Sequence, residues 1–124
     1  MIYEEICTYE VAKLAKEKGF RERCIGHYYD DTKDLYCSSV PQCYNFGGNT
    51  SDAPTQSLLQ RWLREKKNIH IAVFLNLRNS YKYDWIVYIK GKECWLPIYS
   101  ALNDFDTYEL ALEDALKYSL ENLI

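Results

Sequence analysis

No apolar run in this 124-residue chain approaches the length of about 18 residues that a membrane-spanning helix needs. The opening stretch MIYEEICTYE is acidic and polar, unlike a secretory signal, so a cytoplasmic protein with no membrane partner is expected. Positive charge is not in excess either. Lys and Arg total 15 against 18 Asp and Glu, a formal net charge of −3, which gives no electrostatic reason to seek a nucleic-acid partner. The five cysteines (Cys7, Cys24, Cys37, Cys43 and Cys94) include no C-x-x-C pair, and no histidine is spaced to complete a zinc site. Reduced thiols, with no metal and no cofactor, are the expectation. Gly47-Gly48-Asn49 lacks both the preceding strand and the following Gly-Lys-Ser/Thr or G-x-G-x-x-G of a phosphate loop.

Hydrophobic residues make up 48% of the chain and charged residues 27%, the balance of a globular domain rather than a disordered segment. The length suits one domain with its own core, residues 1–52 supplying a helix, a hairpin and a long loop, and residues 53–124 the rest. Twelve tyrosines and three tryptophans are the compositional excess. Aromatic residues suit strands and interfaces alike, including contact with a second copy of the chain.

The clearest pattern is Ala53–Ala72, APTQSLLQRWLREKKNIHIA. At 100° per residue Leu58, Leu59, Trp62 and Leu63 fall within one arc of roughly 140°, the width of a core-facing helical stripe. Thr55 is placed to cap the start, and Asn68 to close the end in the left-handed conformation. The opposite face carries Gln56, Ser57, Gln60, Arg61, Arg64 and Glu65. Ser57 lies between Arg61 and Arg64 on the wheel, so two guanidinium forks flank one hydroxyl, a pattern able to bind a phosphate or carboxylate. The competing reading is a solvated face with Arg61–Glu65 and Gln60–Arg64 as neighbours.

Before this helix, Thr8 to about Lys18 reads as a helix closed by Gly19, with Val11, Leu14 and Ala15 inward. Arg23–Tyr29 reads as a strand, Asp30–Asp34 as its turn, and Leu35–Cys37 as the start of a partner strand. Ser38–Asp52 reads as a loop. After the helix, Ile69, Ile71, Val73 and Leu75 alternate with His70, Ala72, Phe74 and Asn76, the period of a strand. Asp84–Lys90 is apolar on both faces, as in a central strand, and Pro97 sets Cys94–Tyr99 at an edge. A last helix spans about Thr107 to Leu123, with Asp106 and Glu109 as its capping box. The fold class expected is α+β: an antiparallel sheet with helices packed mainly on one face, the C-terminal part running α-β-β-β-α.

That order, with SLLQRWLRE, resembles the double-stranded RNA-binding domain over about 70 residues. The family grips phosphates through a lysine cluster opening its last helix. Here the matching stretch is Asp106-Thr107-Tyr108-Glu109-Leu110, which is acidic. Three further segments, Thr8–Phe20, Ala53–Glu65 with Ile69-His70-Ile71, and Phe105–Glu113, resemble a group of small uncharacterised proteins of phages and gut-bacterial prophage regions. That resemblance implies a phage-accessory setting and transfers no catalytic residue.

The leading functional reading is a non-catalytic binding protein that engages a host or phage protein or a small anionic ligand. Ser57, Arg61 and Arg64 are its candidate contacts, with the Tyr44–Asp52 loop as rim. The alternative is a nucleic-acid-binding module of the RNA-binding-domain type. An enzyme would have to draw on His27 or His70 with Cys37 or Cys43, which nothing in the sequence brings together. Asp30, Asp31 and Asp34 offer oxygen ligands but not the spacing of a calcium loop.

Overall fold

The computed structural model describes residues 2–42, 48–77, 81–100 and 104–124. Its elements are α1 (Tyr9–Glu17), β1 (Cys24–Tyr29), β2 (Leu35–Gln42), β3 (Thr50–Ala53), α2 (Gln56–Lys67), β4 (Ile69–Asn76), β5 (Lys82–Lys90), β6 (Trp95–Tyr99) and α3 (Tyr108–Asn122). The class is α+β, and both sheets are antiparallel. The chain divides into two compact units, Met1–Leu59 and Gln60–Ile124, the division falling inside α2. Among the described residues no helix is long and apolar enough to cross a membrane.

In the first unit the sheet order is β2-β1-β3. Thr8 caps α1, its hydroxyl accepting from the Val11 N–H, and Gly19 leaves the helix at φ +96°. Helix α1 packs on β3, where Ala12, Tyr28 and Ala53 form a buried cluster joined by Ile6 and Tyr9. The Tyr28 hydroxyl donates to the Cys7 carbonyl at 2.6 Å, so the polar tip of a buried ring is satisfied. Two expectations are corrected here. The second strand runs on to Gln42, and Thr50–Ala53 is a strand rather than part of a loop. Its TSDA sequence has little strand propensity of its own, and pairing with β1 together with burial under α1 decides its state.

In the second unit the order is β4-β5-β6, with β5 central and Pro97 on an edge strand, as its missing N–H favours. The register pairs Ile71 with Val87 and Val73 with Trp85, so these side chains share one face. Helix α3 packs on that face against β4 and β5. Ile69, Ile71, Trp85, Val87, Leu112, Leu116 and Leu120 are buried. The antiparallel elements thus form two three-stranded sheets, and the C-terminal part runs α-β-β-β-α as expected.

Helix α2 keeps its expected ends. The Thr55 hydroxyl accepts from the Leu58 N–H at 3.2 Å, and Asn68 closes it at φ +56°. Leu59, Trp62 and Leu63 are buried, as their stripe requires. The N-cap of α3 is a correction. Thr107, not Asp106, accepts from the Leu110 N–H, because the Asp106 carboxylate is drawn to the Lys82 ammonium.

Candidate functional site

The three side chains of the helix face do different things. The Ser57 hydroxyl, in the first unit, donates to the Glu4 carboxylate at 3.2 Å. The start of α2 is already served by its own unit: the Gln56 N–H donates to the Glu5 carbonyl and the Leu58 N–H to Thr55. Arg61 donates through Nε to Glu65 at 3.1 Å, an exposed i,i+4 pair of the kind that satisfies a solvated helix face. The Gln60 side chain, expected beside Arg64, donates instead to the Ile71 carbonyl at 2.9 Å. Arg64 borders a cavity, and it has no hydrogen bond or ion pair among the described residues. The Tyr44–Asp52 rim falls partly outside the described residues, which omit 43–47, and its last three positions belong to β3.

That cavity lies within the second unit. It has a volume of about 380 Å³ and is lined by Arg64, His70, Tyr88 and Trp95. The sheet register explains why these residues meet. His70 of β4 stands opposite Tyr88 of β5, and Trp95 of β6 stands opposite Lys90, two residues along β5 from Tyr88. All four positions therefore share the face opposite to Trp85 and Val87, which α3 covers. The His70 and Tyr88 ring centroids are 6.2 Å apart with planes tilted by 40°. His70 and Trp95 are 6.4 Å apart and near edge-to-face at 65°. The lining is almost wholly apolar, so Arg64 meets the cavity through its methylene stem, and its side chain is exposed. Trp95 is 43% exposed, whereas Trp62 and Trp85 are 6% and 2% exposed.

Three flat rings around an open cleft offer stacking surface with few directional hydrogen-bonding groups. One guanidinium without a carboxylate partner among the described residues supplies a planar fork for an anionic oxygen pair. The arrangement can hold a flat, negatively charged molecule.

Other sequence candidates are placed apart. His27 stands opposite Tyr36 while Cys37 stands opposite Gly26, so His27 and Cys37 project from opposite faces of the first sheet. Cys43 lies outside the described residues. His27 stacks with Tyr36 at 6.0 Å and meets Tyr29 edge-on at 5.2 Å. Asp30, Asp31 and Asp34 do not converge. The Asp30 carboxylate accepts from Ser51 at 2.8 Å and Tyr9 at 3.3 Å and pairs with Lys13 and Lys16. Asp31 accepts from the Thr32 N–H, and Asp34 gives its backbone carbonyl to Tyr29. Among the described residues no three His, Cys, Asp or Glu side chains gather as metal ligands.

In the sequence His70 falls on a strand surface and Arg64 on a helix face, but nothing there joins them to each other or to Tyr88 and Trp95. The signal present was Trp95 two residues before Pro97 in an edge strand, an exposed aromatic where a core residue is not needed. No protein-family model, curated protein or solved structure matches the chain.

Proposed function

We propose that this protein is a non-catalytic, cytoplasmic binding protein, an accessory factor of a phage or mobile element, whose ligand site is the Arg64–His70–Tyr88–Trp95 cleft. The observation that supports it is a guanidinium with no partner among the described residues, beside a cavity walled by three aromatic side chains. The reading keeps Arg64 of the original candidate trio as a contact. It gives Ser57 and Arg61 no ligand contact, since Glu4 and Glu65 engage them. A small anionic ligand is favoured over a protein partner because about 380 Å³ falls in the small-molecule range of roughly 300–1,000 Å³.

Native mass spectrometry after incubation with a host metabolite extract tests this. Wild-type protein should retain an added small mass, and Arg64→Gln and Trp95→Ala should each lose it while melting like wild type. An extract that adds no mass to wild type, or adds it equally to both variants, would overturn the reading. The same spectra report whether the protein is a dimer.

A further inference from the structure

Resting on that reading of the cleft, we infer that its ligand is a nucleoside monophosphate, with the base against the rings of His70, Tyr88 and Trp95 and the phosphate at Arg64. Three features of the cleft narrow the class. The His70 ring stands at 40° to that of Tyr88 and at 65° to that of Trp95, so the cluster offers both ring faces and ring edges to one planar group. A cluster of this kind also suits a quaternary ammonium, but Arg64 in the lining would repel a cation. The group without a partner among the described residues is a guanidinium, whose fork matches two oxygens of a phosphate.

Size and charge then separate a single nucleotide from its neighbours in chemistry. The volume of about 380 Å³ accommodates a base and sugar, whereas a simple aromatic acid would leave much of it empty. One phosphate needs no more than the Arg64 guanidinium, with Lys90 on the same sheet face. A polynucleotide would need a row of cations along its backbone, and the net charge of −3 works against that. The lining presents carbon almost throughout. Stacking rather than reading of base edges therefore governs recognition, and adenine and uracil should both be accepted.

The experiment is a titration of the purified chain with adenosine monophosphate and uridine monophosphate, followed by Trp95 emission and by calorimetry. Trp95 is the exposed indole, so its emission should be quenched saturably. Adenosine, which lacks the phosphate, should bind roughly tenfold or more weakly, and Arg64→Gln should reduce the monophosphates to that level. Trp95→Ala, followed by calorimetry, should weaken both nucleotides by roughly tenfold or more, as loss of a stacking ring does. Inorganic phosphate alone should not quench. The inference is overturned if neither monophosphate saturates below millimolar concentration, if adenosine binds as well as its monophosphate, or if the two variants bind as wild type does. A single-stranded oligonucleotide that binds where the monophosphates do not would also overturn it. An unrelated mass retained by wild type and lost in both variants would leave the cleft standing and remove only the nucleotide.

Discussion

The indole Nε1–H of Trp85 donates to the Asp114 carboxylate at 2.8 Å, tying the central strand β5 to helix α3. The Trp85 ring also lies 5.3 Å from that of Tyr118 on the same helix. A buried indole needs an acceptor, and Asp114 supplies one from the helix that covers the ring. Trp85→Phe keeps much of the apolar volume and removes the donor. It should cost about 1–3 kcal/mol, read from urea unfolding. Asp114→Asn, which retains an acceptor, should cost less. Equal stability of Trp85→Phe and wild type would mean that the bond contributes nothing.

Trp62 tests the helix stripe that the sequence showed most clearly. It is 6% exposed, and the Lys67 ammonium lies 5.4 Å from its ring centroid. Trp62→Ala should lower stability by about 3–5 kcal/mol, the range for emptying a buried aromatic site. Lys67→Ala should cost under about 1 kcal/mol, as an exposed cation–π contact does. Calorimetric melting of both variants distinguishes a core role for Trp62 from a surface one.

A third expectation concerns alkaline pH. Tyr9 has its pKa raised above the ordinary 10.0, first by burial and then by the negative charge of Asp30. The folded state therefore favours the neutral phenol. The resulting stability is fully present below the unfolded value and is lost as pH rises through the higher folded one. Other tyrosines titrate in the same range, so the comparison is with Tyr9→Phe. That variant should lose slightly at neutral pH, where the 3.3 Å bond to Asp30 is missing, and should fall less steeply above about pH 10. Parallel slopes for the two proteins would show that Tyr9 does not contribute.

Binding of duplex RNA should be weak or undetectable at about 150 mM salt. The start of α3, where the RNA-binding-domain family carries its lysines, has Asp106 held by Lys82 and an exposed Glu109 in the first turn. Anions there suit the helix dipole and repel phosphate. A submicromolar, length-dependent gel shift would refute this and restore the nucleic-acid alternative.

What the sequence could and could not show follows from how local each signal is. Thr8, Gly19, Thr55 and Asn68 end their helices as expected, because a cap is settled within four residues of chain. Thr107 displaced Asp106 as the α3 cap because Lys82, 24 residues away, claims the carboxylate. Strand β3 was hidden because TSDA becomes a strand through its partner and its covering helix. The cleft was hidden for a similar reason. Alternation showed that His70 turns away from Ile69 and Ile71, but only the β4-β5-β6 register sets Tyr88 and Trp95 beside it. Arg61 and Arg64 look alike in sequence. They differ because Glu65 engages the first and leaves the second unpartnered among the described residues.

The last prediction separates two reasons for a glycine. At Gly91 an added Cβ would stand 2.8 Å from the Cys94 carbonyl oxygen, a backbone atom that cannot swing aside. The Gly91 N–H donates to that same oxygen, also at 2.8 Å, closing the turn from β5 into β6. Gly91→Ala must therefore open the turn, at a cost of about 1–3 kcal/mol, as for other overpacked sites. Trp95 begins the next strand, so its emission should change with the turn. At Gly19 nothing lies within 4 Å of an added Cβ, and the objection is only the backbone angle of φ +96°. Gly19→Ala should cost about 1 kcal/mol through that strain and leave Trp95 emission untouched. Urea unfolding and emission spectra of the two variants make the comparison. A Gly91→Ala protein with wild-type stability and spectrum would show that the turn has room to spare, and that the position of Trp95 does not depend on it.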